Sequence, residues 1–580
     1  MPRLPKTYED AINQDTNILH EAQYYDATFQ QFEDIRKEEE TIMALTRHHV
    51  GVESQTNVTI DWKGVIIGAF NICFPIAVER PDEPPIKLFF RCAMPHKLGE
   101  LRSAGAVDEK MRCEVATYAW IQEKCPDIRI PHLYGFGLFD HSQFTNQSQR
   151  PLLTRVILHL RRLFLTWLRP SIILSPYIPH PSQHRFSTAY MVLEDVSADG
   201  SRMVYKSWAE KGDDERRRHN LYRGYAKVVI SLARVPQPRI GSFRFHSDGT
   251  ISLSNRPLTT TLAILENDGM PRCIPRDRTY TNADLWVSDM LSFHAGRLST
   301  DVNAALHAED LRFLMGCQVV VRALAHHYVH PERREGPFYL QFTDLHRSNI
   351  FVDDDWNIRS LVDLEWVTAH PLEMMQAPYW LVDGDLATFE GEQLESFKKR
   401  RLEYMEIFED EERKAAPGRE AFITNAINWS WERKGSWFWI GIESLNTLRC
   451  MLLDHVRWNF GFPFRRALLR ELSLLWCADS DAFVEKREKD IQGYQSELRK
   501  LYGERKAAIE ESTEKTGHDA AKEQQASKEQ VGSEQVGSEQ VGSEDLSSGK
   551  ATTKRKAPKI PETTGLKTNR PARNRSAVKI

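Results

Sequence analysis

The spacing of apolar side chains changes along the chain, and the changes mark its elements. Residues 7–48 are polar and charged with helical texture, over Tyr8–His20 and Phe29–Thr46. From Val58 the texture switches. Val58-Thr-Ile, Val65-Ile-Ile, Ile72-Cys-Phe, Ile76-Ala-Val and Lys87-Leu-Phe-Phe are short β-prone runs broken by Gly, Asn, Pro and Asp. They predict an antiparallel sheet over about 57–93. Glu109–Lys124 has helical composition, with Val115, Tyr118, Ala119 and Ile121 as its apolar face. Ile130-Pro-His-Leu-Tyr-Gly-Phe-Gly-Leu and Tyr190-Met-Val-Leu-Glu-Asp-Val read as further strands. Beyond them helical spacing dominates: Glu215–Arg234, Ala283–Gly296, Ala305–Val329, Leu394–Glu412, Trp437–His455 and Phe464–Ala478. A β-rich first part and a helix-rich second part predict an α+β fold in two lobes, over 57–198 and 199–502, preceded by a polar helical extension over 1–56.

Two stretches interrupt this scheme. An insertion over 140–187 carries Leu152, Leu153, Val156, Ile157, Leu160, Leu163, Phe164, Trp167 and Leu168, interleaved with Arg150, Arg155, Arg161, Arg162 and Arg169. The arginines exclude a buried membrane span. The favoured reading is a helix that packs its apolar face on the domain and solvates its arginines. The alternative is a peripheral membrane contact through 150–169, with a basic amphipathic helix lying on an anionic surface. At the other end, Phe483, Val484, Ile491, Tyr494, Leu498 and Leu501 predict an amphipathic final helix. Tyr502 is the last aromatic residue. Residues 503–580, rich in Glu, Lys, Gln, Ser and Ala, cannot bury enough apolar surface to offset chain entropy, which predicts disorder. Three tandem copies of Glu-Gln-Val-Gly-Ser, starting at Glu529, Glu534 and Glu539, read as a flexible linker.

Charge alters the picture only when it is divided. The chain of 580 residues has 77 Lys+Arg against 81 Asp+Glu, a net −4, which excludes a uniformly basic nucleic-acid coat. Residues 551–580 carry +8, 503–550 carry −5, and the rest carries −7. The basic end, Lys554-Arg-Lys-Ala-Pro-Lys559 with Arg570, Arg573 and Arg575, lacks interleaved aromatics for base stacking, so no specific nucleic-acid partner is expected. A solvated end is favoured there over a nuclear-import signal. Eight scattered cysteines without a Cys-x-x-Cys fit reduced thiols. No apolar h-region follows Met1 and no run of 18 apolar residues occurs, so a cytoplasmic location is expected, with a nuclear one as the alternative.

The stretch Tyr339–Trp366 carries the chemistry. Ile350-Phe-Val reads as a strand, Asp353-Asp-Asp-Trp-Asn as a turn and Ile358–Val362 as the returning strand. Asp344 and Asn349 precede this hairpin and Asp363 ends it. Phosphoryl transfer needs such a set: an aspartate to accept the proton of a nucleophilic hydroxyl, and oxygen ligands for a hard magnesium ion. An ordinary polar hairpin capped by Asp and Asn is the competing reading. Other constellations fail. Asp353-x-Asp355-x-Asn357 has Ile358 where a calcium loop needs Gly, and Leu364 where it needs Glu. His326, His327 and His330 lack a carboxylate or Cys partner and read as surface or capping residues. No Gly-x-Ser-x-Gly occurs in the folded part.

These residues resemble a known family: the kinase-like superfamily of aminoglycoside phosphotransferases and choline kinases, most closely the fungal aminoglycoside-phosphotransferase-domain proteins. Phe342-Thr343-Asp344-Leu-His-Arg-Ser-Asn349 stands for the family's His-Gly-Asp-x-x-x-x-Asn, and Val362-Asp363-Leu364-Glu365 for its Ile-Asp-Trp-Glu. The resemblance covers about 58–460. It implies a bilobal protein-kinase-like fold and ATP- and magnesium-dependent transfer of a phosphoryl group to a small-molecule hydroxyl. It also implies Asp344 as catalytic base and Asn349 and Asp363 as magnesium ligands. Upstream, Ile67-Gly68-Ala-Phe-Asn71 is similar to the phosphate-covering hairpin, and Leu88-Phe-Phe-Arg91 to the strand bearing the phosphate-binding cation. Glu114 stands for the glutamate paired with that cation, and Met191-Val-Leu-Glu194-Asp195-Val196 for the hinge that contacts adenine. Ile240-Gly-Ser-Phe, Asn255-Arg-Pro-Leu and Trp437-Phe-Trp also look like fungal members. Two departures, Phe342 for His and Arg91 for Lys, make a pseudokinase or scaffold the alternative, because a guanidinium fork is not a lysine point charge. Glu365, Trp366, Trp380 and Asp383 suit a cationic or hydroxyl-rich acceptor, and core and surface roles explain them as well.

Overall fold

The computed structural model describes residues 4–14, 16–81, 83–168, 173–384, 389–444 and 446–503. The predicted disordered tail, with its repeats and basic end, lies outside these residues from 504 on. The described residues divide into two units, one over 16–492 and one made of Pro5–Gln14 with 493–503. In the smaller unit α1 (Tyr8–Ile12) is capped by Thr7, whose hydroxyl accepts from the Asp10 amide at 3.1 Å. There the Tyr502 hydroxyl donates to the Pro5 carbonyl at 2.9 Å, and Arg499 lies 5.2 Å from the centre of the Tyr8 ring.

The larger unit is α+β. It opens with α2 (Ile18–Lys37) and α3 (Glu39–Val50). Asn17 caps α2 by accepting from the His20 amide, which shifts the helix boundaries away from those predicted. The strands β1 (Val58–Ile60), β2 (Ile66–Ile67), β3 (Asn71–Arg80) and β4 (Glu83–Ala93) follow, then α4 (Ala106–Lys124), β5 (Leu133–Gly137) and β6 (Gln143–Asn146). Next come α5 (Leu152–Leu168), β7 (Ile173–Leu174), β8 (Tyr177–Pro179) and β9 (Tyr190–Glu194). An eight-stranded antiparallel sheet runs β1-β3-β4-β9-β5-β6-β8, with β2 beside β3.

Successive side chains of a strand point to opposite faces, and β9 shows the consequence. Tyr190 and Val192 join a core with Ile35, Ile42 and Leu45 of α2 and α3, while Met191 and Leu193 join the core that contains α4. The part of the predicted polar extension that forms α2 and α3 is therefore packed on the sheet and not separate from it. α3 is fixed to the sheet by buried His49, which bonds Thr145 at 2.8 Å and the Tyr190 hydroxyl at 2.9 Å.

The predicted insertion over 140–187 is likewise mostly integral. β6 and β8 are strands of the large sheet, and β7 pairs with a strand of the helical part. Only α5 stands off. The favoured expectation that its apolar face packs on the domain is overturned, because that face is solvent-exposed. Both faces of the sheet are already covered, one by α2 and α3 and the other by α4.

The remainder comprises β10 (Arg202–Met203), α6 (Val204–Lys211), α7 (Glu215–Ala233), β11 (Ser242–Phe245), β12 (Thr250–Asn255), α8 (Thr260–Asn267), α9 (Ala283–Thr300) and α10 (Ala308–Leu324). Four short strands follow, β13 (Tyr339–Phe342), β14 (Ile350–Val352), β15 (Ile358–Leu361) and β16 (Val367–His370), then α11 (Gly391–Ala415), α12 (Phe422–Glu432) and α13 (Gly435–Glu443). The predicted helix over Trp437–His455 breaks after α13, where Ser444 is extended. The one predicted over Phe464–Ala478 is helical only across Arg466–Leu472 before a tighter turn. Residues 480–503 form the predicted final helix, with Val484 and Ile491 packed against Leu298, Leu311 and Met315. No helix among the described residues is long and apolar enough to cross a membrane.

Candidate functional site

α4 brings charge into the interior. The Glu100 carboxylate accepts from the Gly105 and Val107 amides at 2.6 and 2.8 Å, satisfying donors that a helix start leaves open. From Val107 to Ile121 nearly every residue of α4 is buried, including Glu109, Lys110 and Glu114. Buried charges are stable only when paired and hydrogen-bonded, so their partners define the surroundings.

Arg91 of β4 supplies one partner. Its guanidinium binds Glu114, Asp363 at 2.5 Å and Glu365 at 2.8 Å. Lys110, one turn before Glu114, binds Glu365, reaches Glu114 at 3.4 Å and donates to Asn71 Oδ1 at 3.0 Å. Asn71 Nδ2 in turn donates to Glu365 at 3.0 Å. Two cations thus face three carboxyl groups, a formal excess of one negative charge.

The hairpin delivers the other side of the cluster. β13 pairs with β16, and Thr343 donates to the Trp366 carbonyl through both its amide (3.1 Å) and its hydroxyl (2.8 Å). β14 and β15 pair Ile350 with Leu361, and the Val362 amide donates to the Asn349 carbonyl at 3.0 Å. Asn349 therefore lies beside the residue preceding Asp363. Asp363 itself has φ +66°, a left-handed conformation rare for a residue with a Cβ and concentrated at sites where geometry matters more than strain. Asn349 Nδ2 donates to the Asp344 carbonyl at 3.3 Å, and Asp344 Oδ2 accepts from Thr260 at the start of α8 at 3.2 Å. The hairpin's three oxygen-bearing residues gather at one end of it.

Electrostatics separate the carboxylates. Burial, and then the charge of Glu365, push Asp344 up to about 6, against the Thr260 hydrogen bond. Burial and Glu365 also raise Asp363, with Arg91 opposing. Burial acts on Glu365 in the same direction, but Lys110 and Arg91 outweigh it and hold this carboxyl below its usual range. Carboxylate oxygens of Glu114, Asp363 and Glu365 lie within 4.8 Å of one another, close enough to share a cation. This grouping shares Asp363 with the predicted ligand pair, Asn349 and Asp363, and brings in the two glutamates.

The remaining predicted residues vary in placement. The Gly68 amide closes the β2–β3 turn on the Asn71 carbonyl at 2.8 Å, and an added Cβ there would meet only ordinary contact, so this turn does not require glycine. The turn is held down by Phe70, whose ring meets Trp366 edge-on at 5.2 Å. Asn71 is drawn into the ionic cluster rather than left open. Leu88 pairs with Glu194 and Arg91 with Met191, so the end of β9 lies three residues, about 10 Å, along the sheet from Arg91. Glu194 accepts from Arg129 at 2.5 Å and from the His132 amide at 2.9 Å, while buried Val196 gives its carbonyl to Ser201 at 2.7 Å. Trp366 and Trp380 are core residues, and Asp383 is paired with Arg347 at 2.6 Å, so packing and pairing account for three of the four acceptor candidates. Phe342, in the motif's His position, packs against the core. Sequence reasoning missed Lys110 and Thr260. Lys110 carries a signal, its four-residue spacing from Glu114; Thr260 carries none.

No protein-family model matches the chain, and no curated protein matches it.

Proposed function

We propose that the chain is an ATP- and magnesium-dependent phosphotransferase with a bilobal protein-kinase-like fold, acting on a small-molecule hydroxyl. The carrying observation is that Arg91 binds Glu114 of the buried helix and Asp363 of the hairpin at once. That junction joins the sheet, α4 and the Asp344–Asn349 loop in one cluster. The excess negative charge of the cluster fits a divalent cation, held by Asp363 and Asn349 with Glu114 and Glu365 behind them. When bound, magnesium-ATP supplies the electrophilic phosphorus and its leaving group. Asp344 accepts the acceptor's hydroxyl proton, and its raised affinity for protons suits that task. Arg91 steadies negative charge, and the β2–β3 turn at Gly68 covers it. In this reading the end of β9, at Glu194 and Val196, contacts the adenine. Catalysis rests on positioning and fixed charge.

Asp344→Asn is expected to lower ATP turnover by about 10²–10⁴-fold, the usual worth of a general base, with an unchanged melting temperature. Equal turnover in the two proteins would reject the assignment. One observation favours a second reading, a pseudokinase or scaffold: both terminal nitrogens of Arg91 are already engaged by carboxylates. Thermal unfolding with and without millimolar magnesium-ATP separates the two, since a scaffold shows no shift.

A further inference from the structure

α5 is an amphipathic helix turned inside out. At 100° per residue, Leu152, Leu163, Val156, Trp167, Leu160, Leu153, Phe164, Ile157 and Leu168 follow one another around an arc of about 160°. Arg155 and Arg162 stand seven positions apart on the opposite side. In a helix that belongs to a globular core, the apolar arc is covered. Here eight of its nine residues are 53–78 % exposed, Trp167 the most. The main contacts of α5 are with the short segments that flank it, Gln147–Gln149 and β7.

Charge identifies what covers this arc. From His141 to Leu193 the chain has no Asp or Glu and six arginines. Such a segment repels a cationic partner and attracts an anionic one. An apolar arc with bulky Leu, Phe and Trp, flanked by arginine, matches the boundary between anionic headgroups and acyl chains. At 17 residues, about 25 Å long, α5 lies along such a surface and does not span it. We infer that α5 is a membrane-surface anchor, seating its Leu152–Leu168 apolar arc in an anionic bilayer while its arginines engage the headgroups. The inference is independent of whether the chain turns over ATP.

The test is co-sedimentation of the full chain with vesicles. Phosphatidylcholine vesicles containing phosphatidylserine are expected to pellet the protein at least ~10-fold better than phosphatidylcholine alone, and high salt to weaken the effect. Leu160→Glu/Phe164→Glu should reduce pelleting to that of vesicle-free protein. Both positions are exposed, so its melting temperature should be unchanged, and it keeps the basic tail, which separates α5 from residues 551–580. Undiminished pelleting of this variant, or no pelleting of the wild type, overturns the proposal. So does a wild-type dimer that ignores vesicles and becomes monomeric in the variant by sedimentation velocity, which would make the arc an interface between copies.

Discussion

Two ionic networks are built on the same buried helix, and their charges are balanced oppositely. One gathers around Glu109. Arg256 donates to it at 2.8 and 3.2 Å, Arg276 at 2.9 Å and Asn255 at 3.1 Å. Arg256 also binds Glu266, which accepts from Arg272 at 3.2 Å. Three cations serve two carboxylates, and every carboxylate oxygen is used. Burial raises the Glu109 carboxyl but Arg256 outweighs it, so the group stays ionised. The other network, around Glu114, sets two cations against three carboxylates and ends at the half-buried Asp363. A saturated network locks α4 to the β12–α8 region. An undersaturated one, next to a strained aspartate and the Asp344 loop, has a reason to bind a cation. The difference distinguishes a structural charge cluster from a candidate site where burial alone does not.

The largest effect expected from this contrast is at Arg256, which is 1 % exposed. Arg256→Met leaves Glu109 and Glu266 buried without their main partner, and chemical denaturation should show a loss of about 3–5 kcal/mol. A loss near zero would mean that the network contributes no rigidity. Next is Lys110→Met, which deepens the negative excess around Glu114 and should cost about 3 kcal/mol. Arg276→Met, by contrast, brings the Glu109 network to neutrality at a partly exposed position and should cost under ~1 kcal/mol. Equal costs for these two cation deletions would remove the asymmetry.

Glu443, at the end of α13, extends the series to a carboxyl with no Lys or Arg paired to it among the described residues. It lies 3.2 Å from His370 Nε2. Burial pushes Glu443 up to about 8 and His370 down to about 3, so the pair is neutral at pH 7. A carboxyl raised on folding contributes its full stability below its ordinary value of 4.5 and loses it as pH climbs through about 8. Between pH 5 and 8.5 the wild type should therefore lose about 1–2 kcal/mol more than Glu443→Gln, water at the part-exposed side chain limiting the effect. Parallel pH profiles would show that Glu443 ionises freely.

Much of the site was legible because it is local. Asp344, Asn349 and Asp363 lie within twenty residues, and strand–turn–strand spacing alone brings them to one end of a hairpin. Arg91 and Glu114 became legible through resemblance rather than periodicity. Lys110 did not, because the apolar face predicted for its helix, Val115 to Ile121, implied an opposite face in water, whereas α4 is buried on nearly all sides. The Arg256 network joins residues up to 167 positions apart, and no local pattern encodes such a distance. The same limit explains α5 and the N-terminal helices. Nine apolar residues at helical spacing ordinarily indicate a core, and eight of those in α5 face solvent. Ile35, Ile42 and Leu45 are sparse in a stretch that reads as polar and charged, and they are fully buried against the sheet.

The central claim is that the undersaturated cluster binds a metal–nucleotide complex. Calorimetric titration of magnesium-ATP into the wild type and Asp363→Ala tests it most directly. Saturable heat in the wild type, absent when EDTA replaces magnesium and absent in Asp363→Ala, is the predicted result. Equal binding by the variant, or no binding by a folded wild type, would contradict it.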